Sequence, residues 1–286
     1  MDPRPGGAPT VLRMVLGKRL QELREKAGLS FEQAGRTLDV THATIRRMEK
    51  AEVGLKIPYV EKLLLTYGTA PEEIGGFLAL CREANRPGWW HSFRDVLPEW
   101  FSAFVSLEGE ASVIRAYEPH YVPGLLQIPS YAKAVLRAGQ AGASAEEIER
   151  QLAVRVERQA LLTRPQAPLL WVVMDETVLR RPIGGRDVMH AQLTALIAAT
   201  ELPNVRLQVI PFTVGPHPAM YGPFHIFRFQ VREIPDIAYT ESLVGGAYFD
   251  DRDDVSAFLE ALDRMCAQAA PAQSTKAILD GMRKEI

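Results

Sequence analysis

The sequence predicts an α+β chain, an all-α N-terminal domain followed by a larger mixed α/β domain with a small sheet. Three observations predict it. The first 86 residues carry apolar side chains at helical spacings, with glycine or proline where one helix should end and the next begin. Beyond them, short strand-like runs at 169–174, 205–210, 224–229 and 237–240 recur between helical stretches. The length of 286 residues is enough for two domains.

The first helix is expected over 11–27, where Val11, Leu12, Val15, Leu16, Leu20 and Leu23 form one stripe and Gly28 ends the helix. Two short helices should follow within LSFEQAGRTLDVTHATIRRMEK, residues 29–50. Ser30 is placed to cap the first and Thr41 the second, and the turn falls at Leu38, Asp39 and Val40. Ala34, Leu38, Val40, Ile45 and Met48 should lock the pair together and leave the start of the second helix projecting. Pro58 and Pro71 open two further helices, the first carrying Val60, Leu63 and Leu64, the second Ile74, Phe77, Leu78 and Cys81.

Two helices meeting at a tight turn, the second presenting small polar residues and then paired arginines, are the pattern of a helix-turn-helix that enters the DNA major groove. Charge agrees once divided along the chain: residues 1–86 balance to +3 and residues 87–286 to −5, against −2 overall. The basic excess lies where phosphates would be met. An α-helical bundle using the same packing for protein contacts is the competing reading, with Arg46 and Arg47 a solvated face and Glu49 pairing with either.

The segment LGKRLQELREKAGLS, the helix pair and TIRRMEKAE resemble the Xre-type helix-turn-helix domain of phage repressors and bacterial regulators. The resemblance implies that Thr41, His42, Ala43 and Thr44, followed by Arg46 and Arg47, meet double-stranded DNA. His42 suits a purine edge, Ala43 or the Thr44 methyl a thymine methyl, and either arginine guanine or phosphate. Three positions depart from the family. Phe31 stands where a phosphate-binding Gln is usual, Gly35 replaces an Ala at the helix crossing, and Asp39 replaces the turn Gly.

Residues 1–10 read as a disordered arm, 11–86 as the helix-turn-helix domain, and 87–101 as an ordered Trp-rich joint that docks the two domains. Residues 102–280 read as a regulatory or dimerisation domain. Within it, 102–116 looks helical with Leu107, Ala111 and Ile114 inward, and 117–127 is a structured loop. Helices are expected at 130–138, at 144–163 with Ile148, Leu152, Val156 and Ala160 inward, at 188–199 and at 253–266.

This region, from LEGEASVIRAYEPHYVPGLLQIPSYAKAVL through RVERQALL, MDETVLRRPIGG, VRLQVIPF and GPFHIFRF to AYTES, resembles the C-terminal domain of actinobacterial regulators of the WhiJ type. The resemblance implies a transcriptional regulator, often encoded beside a small protein in an antitoxin-like pairing; the modest +3 of the N-terminal domain and the two-fold operators of helix-turn-helix proteins add the expectation of a homodimer. An antitoxin-like module that sequesters that neighbour, with DNA binding secondary, is therefore the alternative.

No cofactor or metal is expected. Cys81 and Cys266 lack ligand spacing, and the chain has neither His-Glu-x-x-His nor paired Cys-x-x-Cys. Asp175 and Glu176 after a strand, with His190, His217 and His225, are the best catalytic candidates, but capping or pairing with Arg180 and Arg181 explains the acids better; the chain reads as no enzyme. The loop 211–223 is stiffened by four prolines and could rim a ligand pocket or partner surface through His217, Met220 and Tyr221. Arg155 and Arg158 could bind an acidic partner or simply line a solvated helix face. Without an apolar run of membrane-spanning length or a secretory signal at the N-terminus, a cytoplasmic location is expected.

Overall fold

A computed structural model describes residues 11–85, 89–93, 95–140, 142–230 and 234–286; the expected arm at 1–10 lies outside them. The described chain forms two compact units. One holds the helices up to residue 93 together with Pro98–Glu110; the other holds most of the remainder, including the sheet.

In the first unit, α1 (Val11–Lys26), α2 (Phe31–Leu38), α3 (His42–Glu49), α4 (Ile57–Thr66) and α5 (Pro71–Ala84) surround one core. Leu16, Leu20, Ala34, Leu38, Ile45, Met48, Val60, Leu63, Leu64, Ile74, Phe77, Leu78 and Cys81 are buried in it, as their spacing predicts. Gly28 and Gly68 sit in the left-handed region just past α1 and α4, the conformation that ends a helix without a Cβ clash. Burial pushes the Cys81 thiol up to about 12, which fits an inert core residue. Residues Trp89–Phe93 make a 3₁₀ turn in which Trp89 meets Trp90 and Phe93 edge-on, and α6 (Glu99–Glu110) follows.

The second unit is built on six strands: β1 (Val113–Glu118), β2 (Leu169–Asp175), β3 (Val205–Ile210), β4 (Phe224–Arg228), β5 (Ile237–Ser242) and β6 (Gly245–Phe249). Their order is β3-β2-β1-β4-β5-β6. The first three are mutually parallel and the last three form an antiparallel meander joined through β1 and β4. Helices α7 (Pro129–Gly139), α8 (Ala145–Gln159), the short α9 (Glu176–Arg180), α10 (Arg186–Ala199), α11 (Arg252–Gln268) and α12 (Ala272–Glu285) complete it. Helix α11 covers one sheet face, with Val255, Leu262 and Met265 against Tyr117, Val173, Phe224, Ile226 and Ala238.

The mixed α/β architecture is as predicted, with two strands, β1 and β6, and two helices, α9 and α12, added among the described residues. Residues 102–116 are not one helix: α6 stops at Glu110 and β1 begins at Val113. Ile114 faces the sheet side away from α11, in register with Leu170 and Phe227, while Tyr117 faces α11. Since both faces are buried, the polar alternation that marks a half-exposed strand is missing. In α8 the inward residues are Ile148, Val154 and Arg158, whereas Val156 and Ala160 are exposed.

Candidate nucleic-acid interface

Helix α2 begins with a full capping box. The Ser30 hydroxyl accepts from the Gln33 N–H at 3.3 Å, and the Gln33 side chain accepts from the Ser30 N–H at 2.7 Å. It ends at Asp39, whose φ of 54° and ψ of 46° place it in the left-handed region that the turn demands. Gly35, within α2, is required by contact rather than by backbone conformation. A Cβ at this position would lie 2.7 Å from the Val40 carbonyl oxygen, so the start of α3 could not approach α2 as it does. Gly17 has the same role from α1, where a Cβ would stand 2.4 Å from the Glu49 carbonyl oxygen. Gly17 carried no signal in the sequence.

Thr41 occupies the N-cap of α3 in extended conformation, but its hydroxyl makes no cap bond. It lies 3.2 Å from the Thr44 hydroxyl instead, which leaves the cap position correct and the expected side-chain bond unmade. Glu49 does not pair with Arg46 or Arg47. It turns into the core and takes a two-pronged ion pair from Arg24 of α1, at 2.7 and 2.9 Å. Arg24 also donates to the Leu29 carbonyl at 2.9 Å, and its guanidinium lies 4.1 Å above the Phe31 ring. The hydrogen bonds that Arg24 donates to Glu49 hold the Arg24 pKa above its ordinary value against the opposing effect of burial. One arginine thus ties α1, the α2 entry and the end of α3 together. Phe31, which cannot bind phosphate, is the lid of that clamp.

The clamp leaves the other side of α3 outward. Thr41, His42, Ala43, Arg46, Arg47 and Lys50 are exposed and Thr44 is half-buried. The sequence-predicted contact set therefore lies on one projecting surface, with Lys50 a basic addition at its end. Arg47 has a loose ion pair with Glu52 at 3.8 Å, both half-exposed, which competing phosphates could replace at little cost.

In the second unit the tentative residues do not form one site. His217 turns inward, its Nε2 3.2 Å from the Tyr117 hydroxyl and 3.9 Å from Asp175, while Met220 and Tyr221 point out. Arg155 bonds the Gln127 side-chain oxygen at 2.7 Å, and Arg158 is buried beside Gly124. Neither is a solvated surface for an acidic partner. Asp175 caps α9 by accepting from the Thr177 N–H at 2.8 Å, and Glu176 accepts from Arg180. Among the described residues no group of three His, Cys, Asp or Glu side chains could hold a metal ion, and no helix is long and apolar enough to cross a membrane.

A polar cluster that the sequence did not signal lies on the sheet face away from α11. Glu118 stands 3.5 Å from His225, near Tyr239, whose hydroxyl donates to Glu241 at 3.1 Å. Burial, with the nearby Glu241 charge, raises the Glu118 carboxyl to about 8, and burial beside Arg158 lowers His225 to about 3. Both shifts favour the uncharged forms, which suits a packed interior.

Comparison with known proteins falls along the same two parts. Residues 15–77 match a family described as a helix-turn-helix domain, and residues 101–281 match one described as a domain of unknown function, DUF5753. Similar relatives are the HTH-type transcriptional regulators PuuR of Escherichia coli (strain K12) and Shigella flexneri, each 39% identical over 57 residues, or 20% of this chain. The chain spans 31% of the length of these relatives. No solved structure matches.

Proposed function

Because the chain belongs to the family defined by DUF5753 and carries a helix-turn-helix domain ahead of it, we propose that it is a sequence-specific transcriptional regulator reading double-stranded DNA through residues 41–47. The observation that carries this reading is the division of α3. Its Ile45, Met48 and Glu49 side is locked into the domain, and its His42, Ala43, Arg46 and Arg47 side is left to solvent. The N-terminal turn of such a helix is where base edges are met, and arginines one turn further on reach guanine or backbone.

The finer readings belong to the same proposal. The domain is of Xre type and the chain of the WhiJ-type actinobacterial class. The protein acts in the cytoplasm, on the nucleoid when bound, as a homodimer on two related half-sites, each chain supplying one reading head. The C-terminal domain has no catalytic role; it dimerises and answers a ligand or a neighbour-encoded protein. Such a signal regulates only by binding one arrangement of the reading heads better than another.

His42→Ala and Arg46→Ala should each weaken specific binding by about 1–3 kcal/mol and relax base preference, with unchanged circular dichroism. Lys50→Ala should weaken binding to all sequences alike and make it less sensitive to salt. Titration of labelled operator fragments with each variant checks this. Unchanged affinity in both His42→Ala and Arg46→Ala would remove this face from the DNA contact.

A further inference from the structure

We propose that Thr41 is a positioning residue: its hydroxyl, released from capping α3, selects the side-chain rotamer of Thr44 and so sets the base preference that Thr44 reads. This rests on the DNA-reading role of α3 proposed above.

Elsewhere in the chain a residue of this kind caps its helix. Ser30 and Ser144 accept from the N–H three residues on, at 3.3 and 3.2 Å. Asp175 and Asp251 accept from the N–H two residues on, at 2.8 and 2.9 Å. Thr41 holds the same N-cap place with an extended backbone, φ −72° and ψ 154°, yet its side chain makes no cap bond. The reason is local. The Thr44 N–H, which a capping hydroxyl would take, already donates to the Thr41 carbonyl at 2.9 Å. The Thr41 hydroxyl meets the Thr44 hydroxyl instead, at 3.2 Å. A helix start that gives up its cap bond where Ser30 and Ser144 keep theirs is the kind of local departure found at working surfaces.

The backbone here has little freedom left. Ile45, next to Thr44, is fully buried. Helix α2 packs at Gly35 against the backbone of Val40, Thr41 and His42, all within 3.4 Å of where a Cβ would stand. What remains open is rotation about the Cα–Cβ bond of Thr44. A helical threonine divides between two rotamers, because its oxygen can turn to more than one partner. The Thr41 hydroxyl favours the rotamer that turns the Thr44 oxygen toward it. Since the threonine Cβ is chiral, the same choice fixes the methyl group. Thr44 therefore offers DNA one arrangement of hydroxyl and methyl rather than two.

Docking strengthens the selection. In the free protein water competes for the exposed Thr41 hydroxyl. Once DNA covers the surface and excludes water, a hydroxyl without a partner is costly, so the pairing is favoured where it is needed. One hydroxyl then donates to the other, and the second keeps its proton for an acceptor on the DNA.

The test is anisotropy titration of the full-length chain on the upstream fragment and on fragments carrying each single base-pair change across its binding site. Thr44→Ala identifies the base pair that Thr44 reads, the one at which discrimination falls. Thr41→Val keeps the shape and removes the hydroxyl. It should lower discrimination at that same base pair about three- to tenfold, with preference elsewhere and circular dichroism as in wild type. Thr44→Val should do the same, and the double variant should be no worse than either single one, the mark of two groups acting as a unit. Thr41→Ser keeps the hydroxyl and should keep the wild-type preference. A Thr41→Val profile identical to wild type, or losses that add in the double variant, would overturn the positioning role. So would a Thr41→Ser profile that matches Thr41→Val, or an equal weakening at every base pair, which marks a contact with the DNA backbone. A wild-type chain that binds every fragment alike would overturn the DNA-reading role itself, and that result is read before any variant is compared.

Discussion

Glu49→Ala should cost the helix-turn-helix domain about 3–5 kcal/mol, a large share of any small domain's stability. The Glu49 and Arg24 side chains are only 4% and 7% exposed, and the substitution strands a guanidinium in the interior facing a cavity. The Leu29 carbonyl carries no charge, and half-exposed Glu25, 3.6 Å away, offsets only part of it. Replacing both partners with apolar residues, Arg24→Met with Glu49→Leu, should restore much of the loss, because no buried charge then remains. Urea unfolding followed by circular dichroism checks both variants. A loss below about 1 kcal/mol in Glu49→Ala would mean the clamp is not holding α3.

The second large effect is a pH dependence in the C-terminal domain. The folded Glu118 carboxyl lies at about 8 and its ordinary value is 4.5. Between these pH values the unfolded chain gives up its proton and the fold does not, so stability falls as pH rises. His225 works in the opposite direction: lowered from 6.5 to about 3, it makes the fold lose stability as pH falls through that window. The two slopes oppose one another between about 4.5 and 6.5, which should give a stability plateau there. The charged groups acting on Glu118 are Glu241, Arg155 and Arg158. Glu118→Gln removes one slope. Relative to wild type it should gain roughly 2–4 kcal/mol between pH 5 and pH 8, read from urea midpoints at the two values. A difference between variant and wild type that is constant with pH would contradict the assignment.

The N-terminal domain was legible because its signals are local. Ser30 and Gln33 cap α2, Asp39 takes the turn, Pro58 and Pro71 fall in the first turns of α4 and α5, and all of these act within a few residues. The ion pair holding the domain was not legible, since its partners lie 25 residues apart and a nearby arginine looked the obvious match for Glu49. Helix phase decides it: Arg46 and Arg47 fall on the outer side of α3 and Glu49 on the inner. The same arithmetic explains α8. A four-residue interval drifts about 40° per step around a helix of 3.6 residues per turn, so a stripe begun at Ile148 has left the core by Val156. Arg158 then falls inward, with Arg155 and Gln159 turned to the Gln127 loop.

In the sheet, β1 was hidden by burial on both faces and β6 by its glycines. Gly246 is needed where it stands, because a Cβ there would lie 2.4 Å from the Tyr239 ring, yet glycine at this position reads from sequence as turn. The surface set on α3 was legible because exposure at a helix start follows from periodicity alone. Of the loop residues, Met220 and Tyr221 stay exposed while His217 turns inward, since a hydrogen bond to Tyr117 of β1, far off in sequence, leaves no local pattern.

The central claim is that the chain binds a specific DNA sequence. The most direct measurement is fluorescence anisotropy of the full-length protein on DNA from upstream of its own gene, with unrelated DNA as competitor, across a salt series. The neighbour-encoded small protein is added last. Binding that survives competitor, weakens with salt and is altered by the neighbour is the expected result. Equal affinity for upstream and unrelated DNA at every salt concentration would contradict it.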